Sequence, residues 1–129
     1  MTSVIYAVLS TALIIWLSAN VINLRQKHQI ALGDGGNAEL QAARTAHANA
    51  IEYIPIALLM LFALEYNHGH LLLIHGCGIA FMLGRVIHAR SILSASLKKR
   101  KQGMVLTFLS LMALSALNLI YLPWGQFLP

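Results

Sequence analysis

Four apolar blocks constrain this chain more than any other feature. Residues 4–24, 44–66, 71–93 and 103–122 are each close to the roughly 20 residues that a helix needs to cross a bilayer. Inside lipid every backbone N–H and C=O must be paired within the spanning segment, so blocks of this kind form helices. Hydrophobic residues make up 58% of the chain and charged residues 10%, whereas a soluble domain carries about 25% charge. The 129 residues leave room for one domain. The expected fold is an all-α integral membrane protein, a single domain over residues 1–129 built as a bundle of four transmembrane helices. The first block is too long for a signal-peptide core and has no basic stretch before it, so it reads as a retained span. Residues 25–41, with Gly33-Asp34-Gly35-Gly36-Asn37, read as a loop, Asn67 to His70 as a short turn, and Ser94 to Gln102 as a basic connection.

The cations are not spread evenly. Arg25, Lys27, Arg44, Arg85, Arg90, Lys98, Lys99, Arg100 and Lys101 all flank the first and third connections, while the second holds Glu65. The positive-inside rule then places those two connections in the cytoplasm and both termini on the outer, periplasmic side. The formal charge of +5 is explained as an orientation signal, and no nucleic-acid partner is expected. Tyr121, Trp124 and Phe127 form an aromatic end suited to a membrane interface. The lone Cys77 excludes an internal disulfide framework. His68 and His70 have no carboxylate or thiol to complete a metal set, so no metal site is expected. Gly33 to Gly36 follows no strand and is not a dinucleotide fingerprint.

Ionisable groups inside spans are costly and point to function. The second span carries Arg44, Thr45, His47, Asn49, Glu52 and Tyr53, and the third carries Arg85 and His88 one turn apart. At about 100° per residue, Thr45, Asn49 and Glu52 share one narrow face, and His47 points away from Glu52. Pro55 lacks an N–H and weakens the helix just beyond Glu52. A Glu52–Arg85 pair would neutralise two charges that neither helix could carry alone. Such a pair either holds two helices together or opens a polar pocket toward the cytoplasm for an anionic, hydrogen-bonding ligand. Gly76, Ala80 and Gly84 recur every four residues and permit close approach of another helix, in the same chain or a neighbour.

The run Ala46-His47-Ala48-Asn49-Ala50-Ile51-Glu52-Tyr53-Ile54-Pro55 resembles the Asn-x-x-Glu-Tyr-x-Pro signature of the MAPEG family, membrane-associated proteins in eicosanoid and glutathione metabolism. Gly84-Arg85-Val86-Ile87-His88 is similar to the Gly-Arg-x-x-His stretch of its prostaglandin E synthase branch. Gly33-Asp34-Gly35-Gly36, Glu52-Tyr53-Ile54-Pro55-Ile56 and Tyr121-x-Pro-Trp look closest to bacterial inner-membrane members. The resemblance spans the whole chain. It implies a homotrimer in the lipid of the bacterial inner membrane, with glutathione as co-substrate between subunits near the cytoplasmic ends of the helices. By this resemblance Asn49, Glu52, Tyr53 and Arg85, with His88, would bind glutathione, and Arg25 would hold one of its carboxylates. A cation at the start of the fourth span would stabilise the thiolate, and Arg100 and Lys101 fall there. The chain departs from the family pattern at Thr45, where an arginine often stands, and at Ala48 and Ile92, where the prostaglandin branch has an arginine and a tyrosine.

The activity implied is a glutathione-dependent transferase or peroxidase acting on a lipophilic small molecule, an electrophile or a hydroperoxide. Glutathione brings its own thiol, so the protein needs no nucleophilic cysteine. A trimeric scaffold that binds glutathione or lipid without turnover is the alternative. A small proton-coupled exporter, a third class with four short spans, would resemble its relatives in a glutamate within the first span, and this span has no charge.

Overall fold

The computed structural model describes residues 1–126. It contains four helices, α1 (Val4–His28), α2 (Ala38–Tyr66), α3 (Leu71–Leu93) and α4 (Leu97–Ile120), followed by a 3-10 turn at Trp124–Gln126. All four are long and apolar enough to cross a membrane. Phe127 of the expected aromatic end lies outside the described residues; Tyr121 is half-buried, and Trp124 donates its indole N–H to Leu119 O at 3.0 Å.

Three helix ends differ from the apolar blocks, and capping rather than hydropathy sets two of them. α1 runs on to His28, its last turn carrying Arg25, Lys27 and His28 against the free carbonyls. It stops at Gln29, which adopts a left-handed conformation (φ 54°). α2 starts at Ala38, inside the expected loop, because Asn37 Oδ1 accepts the Leu40 N–H at 2.9 Å and Glu39 stands in the first turn. α4 starts at Leu97, so the basic run Lys98 to Lys101 is helical rather than a connection. α2 passes through Pro55 without a break, and that residue is exposed.

α2 presents Ala43, Ala46, Ala50 and Ala57 as a buried small-residue stripe, which lets its neighbours come close. Leu13 and Leu17 of α1, Ile54 of α2 and Phe81 of α3 fill one half of the interior. Tyr6, Leu61, Leu64, Ile74 and Leu114 fill the other. The exterior is apolar as well, with Ile5, Val8, Ile15, Leu59, Leu83, Phe108 and Met112 exposed, as expected of helices solvated by lipid.

The closest crossing joins α3 to α4 at two glycines. A Cβ on Gly103 would lie 2.6 Å from His88 N and 2.9 Å from Gly84 O, and one on Gly84 would lie 3.1 Å from Gly103 O. Within one chain the predicted stripe is used in part. Gly84 makes a close approach, but a Cβ on Gly76 would meet nothing within 4 Å. The third helix uses Gly78 instead, against the ring of Tyr6.

At the end of the bundle that carries few cations, Glu65 belongs to the last turn of α2 rather than to a loop. Its carboxylate accepts from Thr2 N, from Ser3 N at 2.8 Å and from Ser3 Oγ. Those backbone donors open α1 and have no partner within their own helix, so α2 caps α1 across the bundle. At the opposite end lie the connections 29–37 and 94–96 and the nine Lys and Arg residues that flank them.

Candidate functional site

Arg85 is the largest fully buried side chain, 2% exposed on α3. Its Nη1 donates to Asn49 Oδ1 at 2.5 Å and reaches Asn49 O at 3.4 Å. Nε donates to Thr107 Oγ1 at 3.1 Å, and the Thr107 hydroxyl donates onward to Gly103 O at 2.8 Å. Nη2 faces the Met104 sulfur at 3.3 Å. The Tyr53 ring covers the guanidinium, 5.1 Å from its carbon, and meets Phe108 edge to face. Three helices thus hold one cation by neutral acceptors and an aromatic face. Among the described residues Arg85 has no carboxylate within ion-pair distance.

Among the described residues the expected Glu52–Arg85 pair is not formed. Glu52 is exposed. The reason is angular. The buried stripe of α2 runs through Ala46, Ala50, Ile54 and Ala57, and at about 100° per residue Glu52 falls almost opposite it. Asn49 and Tyr53 stand between the two faces and turn toward α3 and α4. The spacing that unites Thr45, Asn49 and Glu52 is sound, but only its Asn49 edge reaches the arginine. Thr107 and Met104 were missed because a threonine and a methionine in an apolar span carry no charge signal. Met104 four residues and Thr107 seven residues after Arg100, on one face of α4, are the trace they leave in the sequence.

The remaining site residues divide. His88 is buried on α3, where its backbone meets Gly103, one turn beyond Arg85. Arg100 lines a cleft of about 290 Å³ with Gln41, Thr45, Ser91 and Ile92, above the Arg85 cluster toward the basic end. Lys101, one residue on, faces outward with Val105, Leu106 and Leu109. Adjacent residues on a helix diverge by about 100°, so the two cations serve different faces. Arg25 lies in a separate groove between α1 and α2, about 400 Å³, with Arg44 and His47. Its Nη1 donates to the carbonyls of Ile30, Ala31 and Gly33, the last at 2.9 Å, and so holds the connection 29–37. Arg44 sits 3.9 Å from Asp34, and His47 Nε2 pairs with Ser18 Oγ at 2.9 Å. As the sequence implied, His47 and Glu52 face opposite ways.

The arrangement is a buried, uncompensated cation with a second cation in the cleft above it. Among the described residues the guanidinium Nη2 has no oxygen acceptor, and a guanidinium offers five donors in a fixed fork. The chemistry of this end suits an anion with several hydrogen-bonding groups.

The sequence profile of the MAPEG family matches residues 3–120. The inner membrane protein YecN of Escherichia coli K12 is 40% identical over 124 residues, covering 96% of this chain and 95% of its own length. YecN of Escherichia coli O6:H1 matches over the same extent with the same identity.

Proposed function

The chain belongs to the MAPEG family, and from that premise we propose that it is a glutathione-dependent transferase or peroxidase of the bacterial inner membrane, acting on lipophilic electrophiles or hydroperoxides as a homotrimer. The observation that carries this reading is Arg85, buried with no carboxylate at ion-pair distance. An unpaired buried ion is penalised by several kcal/mol, and an incoming carboxylate relieves that penalty. Glutathione supplies carboxylates, amides and an amine. Asn49 and Arg85 would take its acceptor groups, and Glu52, exposed between Ile51 and Ile56, would meet its amine where a neighbouring subunit covers α2. Arg100 shares a helix face with Met104 and Thr107, which both touch Arg85, and is the better placed of the two cations to stabilise a thiolate. Arg25 would contribute from the α1–α2 groove. The thiolate sulfur would attack the electrophilic carbon, and the leaving group would depart with the electron pair of the broken bond. For a hydroperoxide the sulfur would attack the terminal oxygen, and the O–O bond would break with the alkoxide leaving and taking a proton to become the alcohol. A second glutathione would reduce the resulting sulfenic acid to the disulfide and water.

A second reading, a trimer that binds glutathione without turning it over, is favoured by two details. Lys101 faces outward and Arg25 is engaged by loop carbonyls. The test is conjugation of glutathione to a generic aryl halide by the purified protein. Turnover that falls at least tenfold in Arg100→Gln but holds in Lys98→Gln supports the enzyme. Saturable binding with no turnover supports the scaffold.

A further inference from the structure

A further cavity lies on another face, away from Asn49 and Arg85. It is an open groove of about 690 Å³ lined by Trp16 of α1, Ile87 and Arg90 of α3, and Lys99 and Gln102 of α4, with Ser94 at the α3–α4 junction. Its two ends differ. Arg90 lies in the last turn of α3 and Lys99 in the first turn of α4, so both cations stand at the basic end of the bundle. Trp16 lies twelve residues before His28, the end of α1, which is about 18 Å along the helix and close to the bilayer midplane. The groove therefore runs from headgroup depth to the end of one leaflet.

Its charge is one-sided. Arg90 and Lys99 are exposed, and among the described residues no carboxylate lines the groove. Asp34 lies near Arg44, Glu39 near Lys27 and His28, Glu65 caps α1, and Glu52 is on the outer face of α2. Ser94 and Gln102 add hydrogen-bonding groups beside the cations, while Ile87 and the indole of Trp16 make the deeper wall apolar. A phosphodiester with an acyl chain matches both ends, and a soluble anion matches only one. We propose that this groove is a binding site for an anionic phospholipid of the cytoplasmic leaflet. The phosphodiester is held by Arg90 and Lys99, and one acyl chain lies along Ile87 to Trp16. Basic pockets between spanning helices on the cytoplasmic side take lipid headgroups in this way. The site makes no use of Arg85, Asn49 or glutathione.

Trp16 reports on the site directly. The chain has two tryptophans, so a Trp124→Phe background leaves Trp16 as the one indole. The protein is reconstituted in phosphatidylcholine vesicles with rising fractions of phosphatidylglycerol, one or the other lipid brominated on its acyl chains. Quenching of Trp16 should give an apparent preference for phosphatidylglycerol on the order of fivefold. Arg90→Gln/Lys99→Gln should bring that preference to near one with an unchanged helical spectrum. Lys27→Gln/Lys98→Gln, which removes two charges from the same end but outside the groove, should keep it. Equal quenching by both lipids in the parent protein overturns the proposal. So does a preference that survives Arg90→Gln/Lys99→Gln, or one lost equally in Lys27→Gln/Lys98→Gln, since the attraction would then belong to the surface as a whole.

Discussion

Replacing Asn49 with Ala should damage the bundle more than replacing Glu52 with Gln. Asn49 Oδ1 is the shortest contact of the buried guanidinium, and removing an acceptor from a buried charged donor costs about 1–3 kcal/mol or more. Glu52 touches nothing buried within its own chain, so Glu52→Gln should move the unfolding transition of the subunit by no more than about 0.5 kcal/mol. Glutathione affinity should fall in both. Unfolding followed by helical circular dichroism, paired with equilibrium dialysis, checks the contrast; a Glu52→Gln variant that unfolds as easily as Asn49→Ala would contradict it. Arg85→Lys should lose glutathione binding even though it keeps the charge, because an ammonium has no planar fork. The sequence made Arg85, Asn49 and Glu52 visible as a polar set in an apolar background. It did not show that the acceptors are Asn49 and Thr107, because that depends on rotation angles between three helices.

Helix boundaries follow the same division between hydropathy and local chemistry. α3 spans Leu71–Leu93 as its apolar block predicts, since polar residues bound it on both sides. α2 begins earlier because an asparagine cap extends it beyond the lipid-compatible stretch, whereas α4 takes in the helix-favouring run Lys98 to Gln102 without a side-chain cap and against the sign of its dipole. The periodic Gly76-Ala80-Gly84 pattern points to close approach on α3, yet the partner glycine, Gly103, is visible only once α4 is docked. Gly103→Ala should force α3 and α4 apart, because the atoms within 3 Å of the new methyl group are backbone. The expected result is a loss of about 1–3 kcal/mol. Gly76→Ala, with open space around it, should be neutral or gain up to about 1 kcal/mol from helix propensity. Equal effects of the two substitutions on unfolding in mild detergent would contradict this account.

For the molecule as a whole, the four-helix plan was legible from hydropathy, and its family from two short motifs. What covers the exposed faces of α2 and α4, lipid or a neighbouring subunit, is not encoded as a contact within one chain. The basic connections at one end predict that a reporter fused after Pro129 is active on the periplasmic side and silent in the cytoplasm. Crosslinking in native membranes should stop at trimers. The central claim is that the end of the bundle around Arg85 binds glutathione. Equilibrium dialysis of the purified protein against labelled glutathione tests it most directly, with Glu52→Gln as the variant whose fold survives. The account predicts saturable binding by the parent protein and at least tenfold weaker binding by Glu52→Gln. No saturable binding by the parent protein, or equal binding by both, would contradict it.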